Sequence, residues 1–357
     1  EKPKEKPKEK PKEKPKEKPK EKPKEKPKEK PKDNKEKPKD NKEKCSTDKI
    51  NKCKEKSKIC NPKTGRCKKA NYENVMKILN PSIEISEYTV NNKFVVNVIR
   101  DDILEAGTKQ RALGIMIKKS TAGSFVYAGP SEGYAQIALA YVCKLLGRKC
   151  MVVLPESKKG TLNQLTKIAK SHGAEIIQVP KRNNKPPTLK VVQKYATNMV
   201  IKHNKTVSKN NEKMELLPFG LHSELFISEL TKRLKQSIPA ELLKNPPKRL
   251  WTVAGSATLL ASYARIWPKT KFMVVQVGKK IWSDQLGATK AKGDGEWEFT
   301  GPKAFESELF IAPEKFYQTA KEQPPYPTVR TYDAKLWQFV ISNGKEGDYI
   351  WNVGRDR

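Results

Sequence analysis

Histidine is nearly absent, with three residues in 357. His172, His203 and His222 stand without triad or metal partners at motif spacing, so a histidine-built metal centre or relay has no support in the sequence. His172 reads as a helix-end cation; only His222, in the turn Pro218-Phe-Gly-Leu-His-Ser223, is placed to line a pocket. Cysteine is also sparse, with six residues. Cys45, Cys53, Cys60 and Cys67 recur at intervals of eight, seven and seven, which lacks the CxxC pairs of a zinc site, and no metal is expected. Cys143 and Cys150 fall in apolar runs and read as buried thiols of a reducing, cytoplasmic compartment. No apolar run approaches the ~20 residues of a membrane-spanning helix. Acids are outnumbered by bases, 40 against 74, for a formal charge of +34.

That charge is unevenly distributed. Residues 1–44 carry 21 lysines and 12 acids, residues 45–72 nine bases and two acids, leaving +18 for residues 73–357. Residues 1–32 are eight copies of Glu-Lys-Pro-Lys, and a looser pattern follows to Lys44. With a proline every fourth position and nothing apolar to bury, this stretch is expected to be a disordered, solvated tail. Its excess of lysine fits an acidic protein or other polyanion as partner. Its interleaved glutamates and lack of aromatics argue against base stacking. The chain begins at Glu1 rather than Met and reads as a fragment.

Residues 45–70 form a basic, cysteine-bearing segment. Ile59-Cys-Asn-Pro-Lys-Thr-Gly-Arg-Cys67 is a turn by composition, with Asn61-Pro62 and Thr64-Gly65 as breakers. The string resembles the 2-cysteine adaptor, a small module of large DNA viruses fused to various catalytic domains. The resemblance implies a viral protein, placed in the host cytoplasm or the virion.

From about residue 71 to 357 the composition is globular and long enough for a large core. Tyr72–Leu79 reads as a helix, Ile83–Val90 and Phe94–Ile99 as strands. Helix Thr108–Lys118, strand Phe125–Tyr127, helix Gly133–Leu146, strand Cys150–Leu154, helix Leu162–His172 and strand Glu175–Val179 then alternate. Gly173 sits where a glycine ends a helix. A further helix runs to about Lys202, Lys205–Lys213 reads as loop, and Leu216–Leu230 leads into a helix. Leu250–Leu260 repeats the strand, turn and helix design, and Lys271–Val277 is one more strand. Gly287–Gly301 reads as loop, and Asp333–Val353 as apolar sequence packed on the body. Such alternation predicts an α/β fold with mostly parallel, twisted sheets flanked by helices.

Two stretches carry the candidate chemistry. Ser124-Phe-Val-Tyr-Ala-Gly-Pro-Ser-Glu-Gly-Tyr-Ala-Gln136 is a strand, a glycine-punctuated turn and a helix start, where open backbone N–H groups can hold an anion. Upstream, Arg100-Asp-Asp-Ile-Leu-Glu-Ala-Gly-Thr-Lys-Gln-Arg111 places one lysine, Lys109, at a second helix start. A lysine beside an anion cradle points to a Schiff-base cofactor.

These stretches, continued by Gly147-Arg-Lys-Cys-Met-Val-Val-Leu-Pro155 and Gly173-Ala-Glu-Ile-Ile-Gln-Val-Pro180, resemble the tryptophan-synthase-β superfamily of pyridoxal 5'-phosphate (PLP) enzymes, fold type II. The Arg-Asp-Asp…Gly-Thr-Lys-Gln-Arg string is most similar to the aminocyclopropane-carboxylate deaminase and D-cysteine desulfhydrase branch. The resemblance implies two lobes with the cofactor between them, and leaves a homodimer open. It puts Lys109 on the lysine that binds the cofactor aldehyde and serves as catalytic base. It puts Gly255, Ser256 and Thr258, in Ala254-Gly-Ser-Ala-Thr-Leu259, on the phosphate loop, which moves the phosphate away from the Ser124–Gln136 turn. That turn then takes the substrate: Ser131, Glu132, Gly133 and Gln136 meet the carboxylate of a small amino acid, and Tyr134 meets the cofactor. Thr331-Tyr-Asp-Ala-Lys335 resembles a late Tyr-Thr-x-Lys string.

Three positions depart from the superfamily. Tyr134 stands where it has asparagine, Ala257 where it has glycine, and Gly347-Asp-Tyr-Ile-Trp-Asn-Val-Gly354 lacks its terminal His-Thr-Gly-Gly, leaving no assigned partner for the pyridine nitrogen. Two readings therefore stand: a PLP-dependent lyase or deaminase acting by Cα deprotonation and elimination, and a catalytically degenerate copy serving as a viral structural or interaction component.

Overall fold

The computed structural model describes residues 58–60, 66–69, 72–157, 161–278 and 305–356. The expectations for the tail, for most of the adaptor-like segment and for the loop 287–301 lie outside them. At the edge of the adaptor-like string, β1 (Lys58–Cys60) and β2 (Cys67–Lys69) pair antiparallel, with Cys60 opposite Cys67 in register.

The alternation read from the sequence is realised as two sheets. In chain order come α1 (Tyr72–Leu79), β3 (Ile85–Val90), β4 (Phe94–Arg100), α2 (Gln110–Lys119), β5 (Ser124–Ala128), α3 (Ala135–Leu146) and β6 (Lys149–Pro155). Next are α4 (Gln164–Ser171), β7 (Glu175–Val179), α5 (Leu189–Thr206), β8 (Met214–Leu217), α6 (Glu224–Ser237) and α7 (Ala240–Lys244). The last are β9 (Arg249–Ala254), α8 (Thr258–Ile266), β10 (Lys271–Gln276), β11 (Ser307–Ile311), α9 (Trp337–Asn343) and β12 (Asp348–Asn352). A four-stranded, wholly parallel sheet has the order β7-β6-β5-β8. A six-stranded sheet has the order β11-β10-β9-β12-β4-β3 and is parallel except for β3. This is the α/β architecture expected, with helices packed on both sheets.

Three expectations change. Leu216–Leu217 belong to β8 rather than to the approach of a helix, because Met214–Leu217 pair with Ser124–Tyr127. Lys205 and Thr206 belong to α5, which runs further than expected, and only part of Lys205–Lys213 is loop. The aromatic-rich C-terminal stretch supplies β12, which lies between β4 and β9.

β5 is buried along its whole length, as a central parallel strand requires. α3 ends on Gly147, which takes the left-handed conformation (φ +64°) that glycine alone adopts without strain. α4 is capped by Asn163, whose side chain accepts from the Thr166 N–H at 2.8 Å. Cys143 and Cys150 are both free and buried, as their apolar setting indicated. No described helix is long and apolar enough to cross a membrane.

The core is anchored where β12 meets α8. The fully buried ring of Trp351 stacks on Tyr263 at 4.1 Å between centroids and lies 6.2 Å from Trp267. Its indole N–H also reaches Asp101 Oδ2 at 3.2 Å and Thr108 Oγ1 at 3.1 Å, satisfying the donor that burial would otherwise orphan. Trp351→Ala should lower stability by about 3–5 kcal/mol, the usual cost of emptying a buried aromatic site; urea-induced unfolding measures it.

Candidate active site

The Arg100–Arg111 stretch is a polar brace around one lysine. Arg100 grips Asp102 with two bonds, at 2.7 and 2.8 Å, and reaches the Tyr88 hydroxyl at 3.1 Å. Arg111 is fully buried and pairs with Asp101 at 2.6 Å, its other donors going to Asn80 Oδ1 and the Pro81 carbonyl. Gln110 accepts from the Ala106 N–H at 2.8 Å and donates to the Leu79 carbonyl at 3.2 Å. Every charged or amide side chain flanking Lys109 in this motif is thus engaged in structure. The turn itself rests on the residue that follows β12, because Thr108 N–H donates to the Val353 carbonyl at 3.1 Å.

Lys109 is bonded differently. Half-buried at the start of α2, it donates from Nζ to the Gly220 carbonyl at 3.0 Å. Burial disfavours the ammonium form and lowers its pKa to about 8. No carboxylate bonds to the amine among the described residues. Lys335, the other lysine singled out, is fully buried elsewhere, donating to the Lys315 carbonyl at 2.8 Å and that of Phe316 at 3.3 Å.

Gly220 is a hub that sequence reading did not identify. Its carbonyl accepts from Thr258 Oγ1 at 3.1 Å as well as from Lys109, and its N–H donates to the Tyr127 hydroxyl at 3.3 Å. The residue has φ +63°, and a Cβ there would lie 2.5 Å from both Cβ and Oγ of Ser256. Only glycine fits this conformation at this approach. The breaker in Pro218-Phe-Gly-Leu-His222 was the sole sequence signal.

The Gly255–Thr258 loop begins α8. Ser256 Oγ and Thr258 Oγ1 lie 2.9 Å apart, and His222 Nδ1 lies 3.2 Å from Thr258 Oγ1. A Cβ on Gly255 would come within 3.1 Å of the Tyr332 hydroxyl, so Tyr332 closes this side of the loop. Ala257 sits at φ +55°, the conformation for which a glycine is the ordinary choice. Next to Tyr332, Asp333 is buried, and burial, with the nearby Asp102 carboxylate adding to it, pushes its pKa well above the usual carboxylate range.

The Ser131–Gln136 loop meets the lysine turn through Tyr134. The Tyr134 ring covers Gly107 and Gly354, where added Cβ atoms would lie 3.0 and 2.8 Å from it, and its hydroxyl donates to the Arg355 carbonyl at 3.2 Å. Gln136 is buried, donating to the Ser131 carbonyl at 2.5 Å and lying 3.4 Å from Thr166 Oγ1, which also reaches that carbonyl. It holds the loop's shape. Ser131, Glu132 and Gly133 remain half-buried. The structure therefore brings Lys109 and Thr258 to one carbonyl, with Ser256 against Thr258 and Tyr134 packed on the lysine turn. Among the described residues no group of His, Cys, Asp and Glu could hold a metal ion.

Solved structures share this arrangement of elements. An ACC deaminase homologue matches at TM-score 0.59 and 15% identity, over 78% of this chain and 90% of that one. The fold is that of the type II PLP enzymes. An O-acetylserine-dependent cystathionine β-synthase from Helicobacter pylori matches at TM-score 0.52 and 14% identity, over 79% and 95% of the two chains. A T.th. threonine deaminase matches at 0.51 and 14%, over 80% and 97%. At these identities the likeness is one of fold. No protein-family model and no curated protein matches the sequence.

Two variants probe this cluster. Ala257→Gly should raise stability by about 1 kcal/mol by relieving the left-handed alanine, read as a higher urea midpoint. Gly220→Ala should displace Ser256 and Lys109 together, and amine-selective labelling of Lys109 should then lose its midpoint near pH 8.

Proposed function

We propose that the protein is a PLP-dependent deaminase or lyase acting on a small amino acid. The observation that carries this reading is the shared carbonyl of Gly220. It holds a lysine of lowered pKa against the hydroxyl-bearing start of a helix, the pairing an aldehyde-phosphate cofactor needs.

The residues fit the cofactor. Lys109 Nζ uses one of its three donor positions, and an amine of pKa about 8 is partly neutral at pH 7.5, as an attack on an aldehyde requires. Ser256, Thr258 and the open backbone N–H groups at the start of α8 would hold the phosphate, favoured by the helix dipole. The Tyr332 hydroxyl bounds this loop on the Gly255 side. When bound, the cofactor supplies an electron sink for charge developing at the substrate Cα.

The remaining steps belong to the chain. Ser131, the backbone around Glu132 and Gly133, and the N–H groups at the start of α3 would orient the substrate carboxylate, with Gln136 fixing their loop. Lys109 would take the Cα proton on Nζ. Tyr134 would flank the cofactor and keep water from the lysine turn.

One observation favours the second reading, a catalytically degenerate copy used as a structural or interaction component of a virus. Tyr134 presents a ring committed to Gly107, Gly354 and the Arg355 carbonyl, not the amide expected at that position. A single spectrum separates the two. Adding PLP to the purified protein should produce visible absorption that Lys109→Ala abolishes, with an initial rate rising as pH climbs through about 8 because only the neutral amine adds. A protein that stays colourless with excess PLP would sink the enzyme reading. Keto-acid and ammonia release from small amino acids, absent in the variant, would fix the reaction class.

A further inference from the structure

Helix α5 has an unusually one-sided charge. Its eighteen residues include four lysines and no acid. One face is spent on the four-stranded sheet, where Val192, Ala196 and Val200 pack against Val126, Val153 and Val179. Lys190, Lys194, Lys202 and Lys205 all point the other way and are exposed. At 100° per residue these four fall within a single arc of about 120°, and they span roughly 22 Å along the axis. None of the four takes part in an ion pair among the described residues; the nearest following acid, Glu212, lies 3.9 Å from Lys209 instead. Exposed Arg182 and Lys185, in the turn before the helix, extend the same charge.

Unpaired lysines lined up along a rigid rod repel one another, and a matching line of negative charge removes that cost. We propose that this face binds the sugar–phosphate backbone of double-stranded nucleic acid without reading its sequence. Duplex DNA presents about 13 charges over a 22 Å length. Lysines are point charges rather than the planar forks that read base edges, so the contact positions the duplex and does not specify it. A single-stranded ligand would need successive stacking platforms, and the helix exposes one aromatic, Tyr195. A lipid surface would need an apolar arc separate from the charged one. Here exposed Val191 and Ile201 are interspersed among the lysines, and the apolar arc is buried on the sheet. The proposal is independent of the enzyme reading and of the basic tail.

The full chain and its K190E/K194E/K202E/K205E variant are titrated with a mixed-sequence 30-base-pair duplex between 50 and 200 mM salt. The variant should bind at least tenfold more weakly at 100 mM. The slope of log affinity against log salt should fall by about 3 to 4, at roughly 0.9 per lost phosphate contact. An unchanged thermal midpoint certifies the fold, and the same four changes to glutamine serve if the charge-reversed chain does not fold. Equal slopes for parent and variant would overturn the proposal by placing binding on the tail. So would a variant that keeps duplex affinity while losing attachment to phosphatidylserine vesicles or to polyglutamate.

Discussion

One backbone carbonyl holds the candidate site together. Gly220 can offer its oxygen to Lys109 and Thr258 at once only because it is in the left-handed region and has no side chain. Four segments remote in sequence, around residues 109, 127, 220 and 258, are tied at this residue. A neutral acceptor keeps the amine in place without supplying the negative charge that would lock it as ammonium. An aspartate in the same place would hold Lys109 as firmly and raise its pKa, removing the reactivity that burial creates.

Charge elsewhere in the motif has the opposite task. The Asp101–Arg111 pair is buried and saturated by Asn80, Pro81 and Trp351. Breaking such a pair strands a charge in the interior, at a cost of about 3–5 kcal/mol, so it fixes geometry more than it adds stability. The lysine turn is thus built with full ion pairs one layer behind and only dipoles in front.

Much of the fold was legible because the relevant forces are local. Short β-branched runs alternating with amphipathic helices mark parallel strands, and capping residues such as Gly147 and Gly173 mark helix ends. What escaped was decided by partners far away in the chain. Met214–Leu217 is too short to show a period and is a strand only because β5 lies beside it. β11 follows a stretch with few apolar anchors and is defined by its pairing with β10. At the site, Lys109 and the Gly255–Thr258 loop were visible as motifs. Gly220, Tyr127 and Tyr332 were not, since a turn glycine or a buried tyrosine looks the same whether or not a lysine ends against it. Gln136 illustrates the converse: its motif position pointed to the substrate, and its amide is bonded within its own loop.

The place of β12 bears on how the chain reaches this structure. Residues 348–352 fill the gap between β4 and β9, so each of these strands lacks its partner on that side until the late segment inserts. Trp351 then closes a contact 250 residues long with Asp101, which positions the turn bearing Lys109. Loops of that length form slowly, and a sheet waiting for its middle strand exposes two unpaired edges. The four-stranded sheet draws all its strands from residues 124–217 and has no such wait. Folding should therefore be sequential, with the small sheet formed early and the lysine turn gaining its native geometry only in the last step.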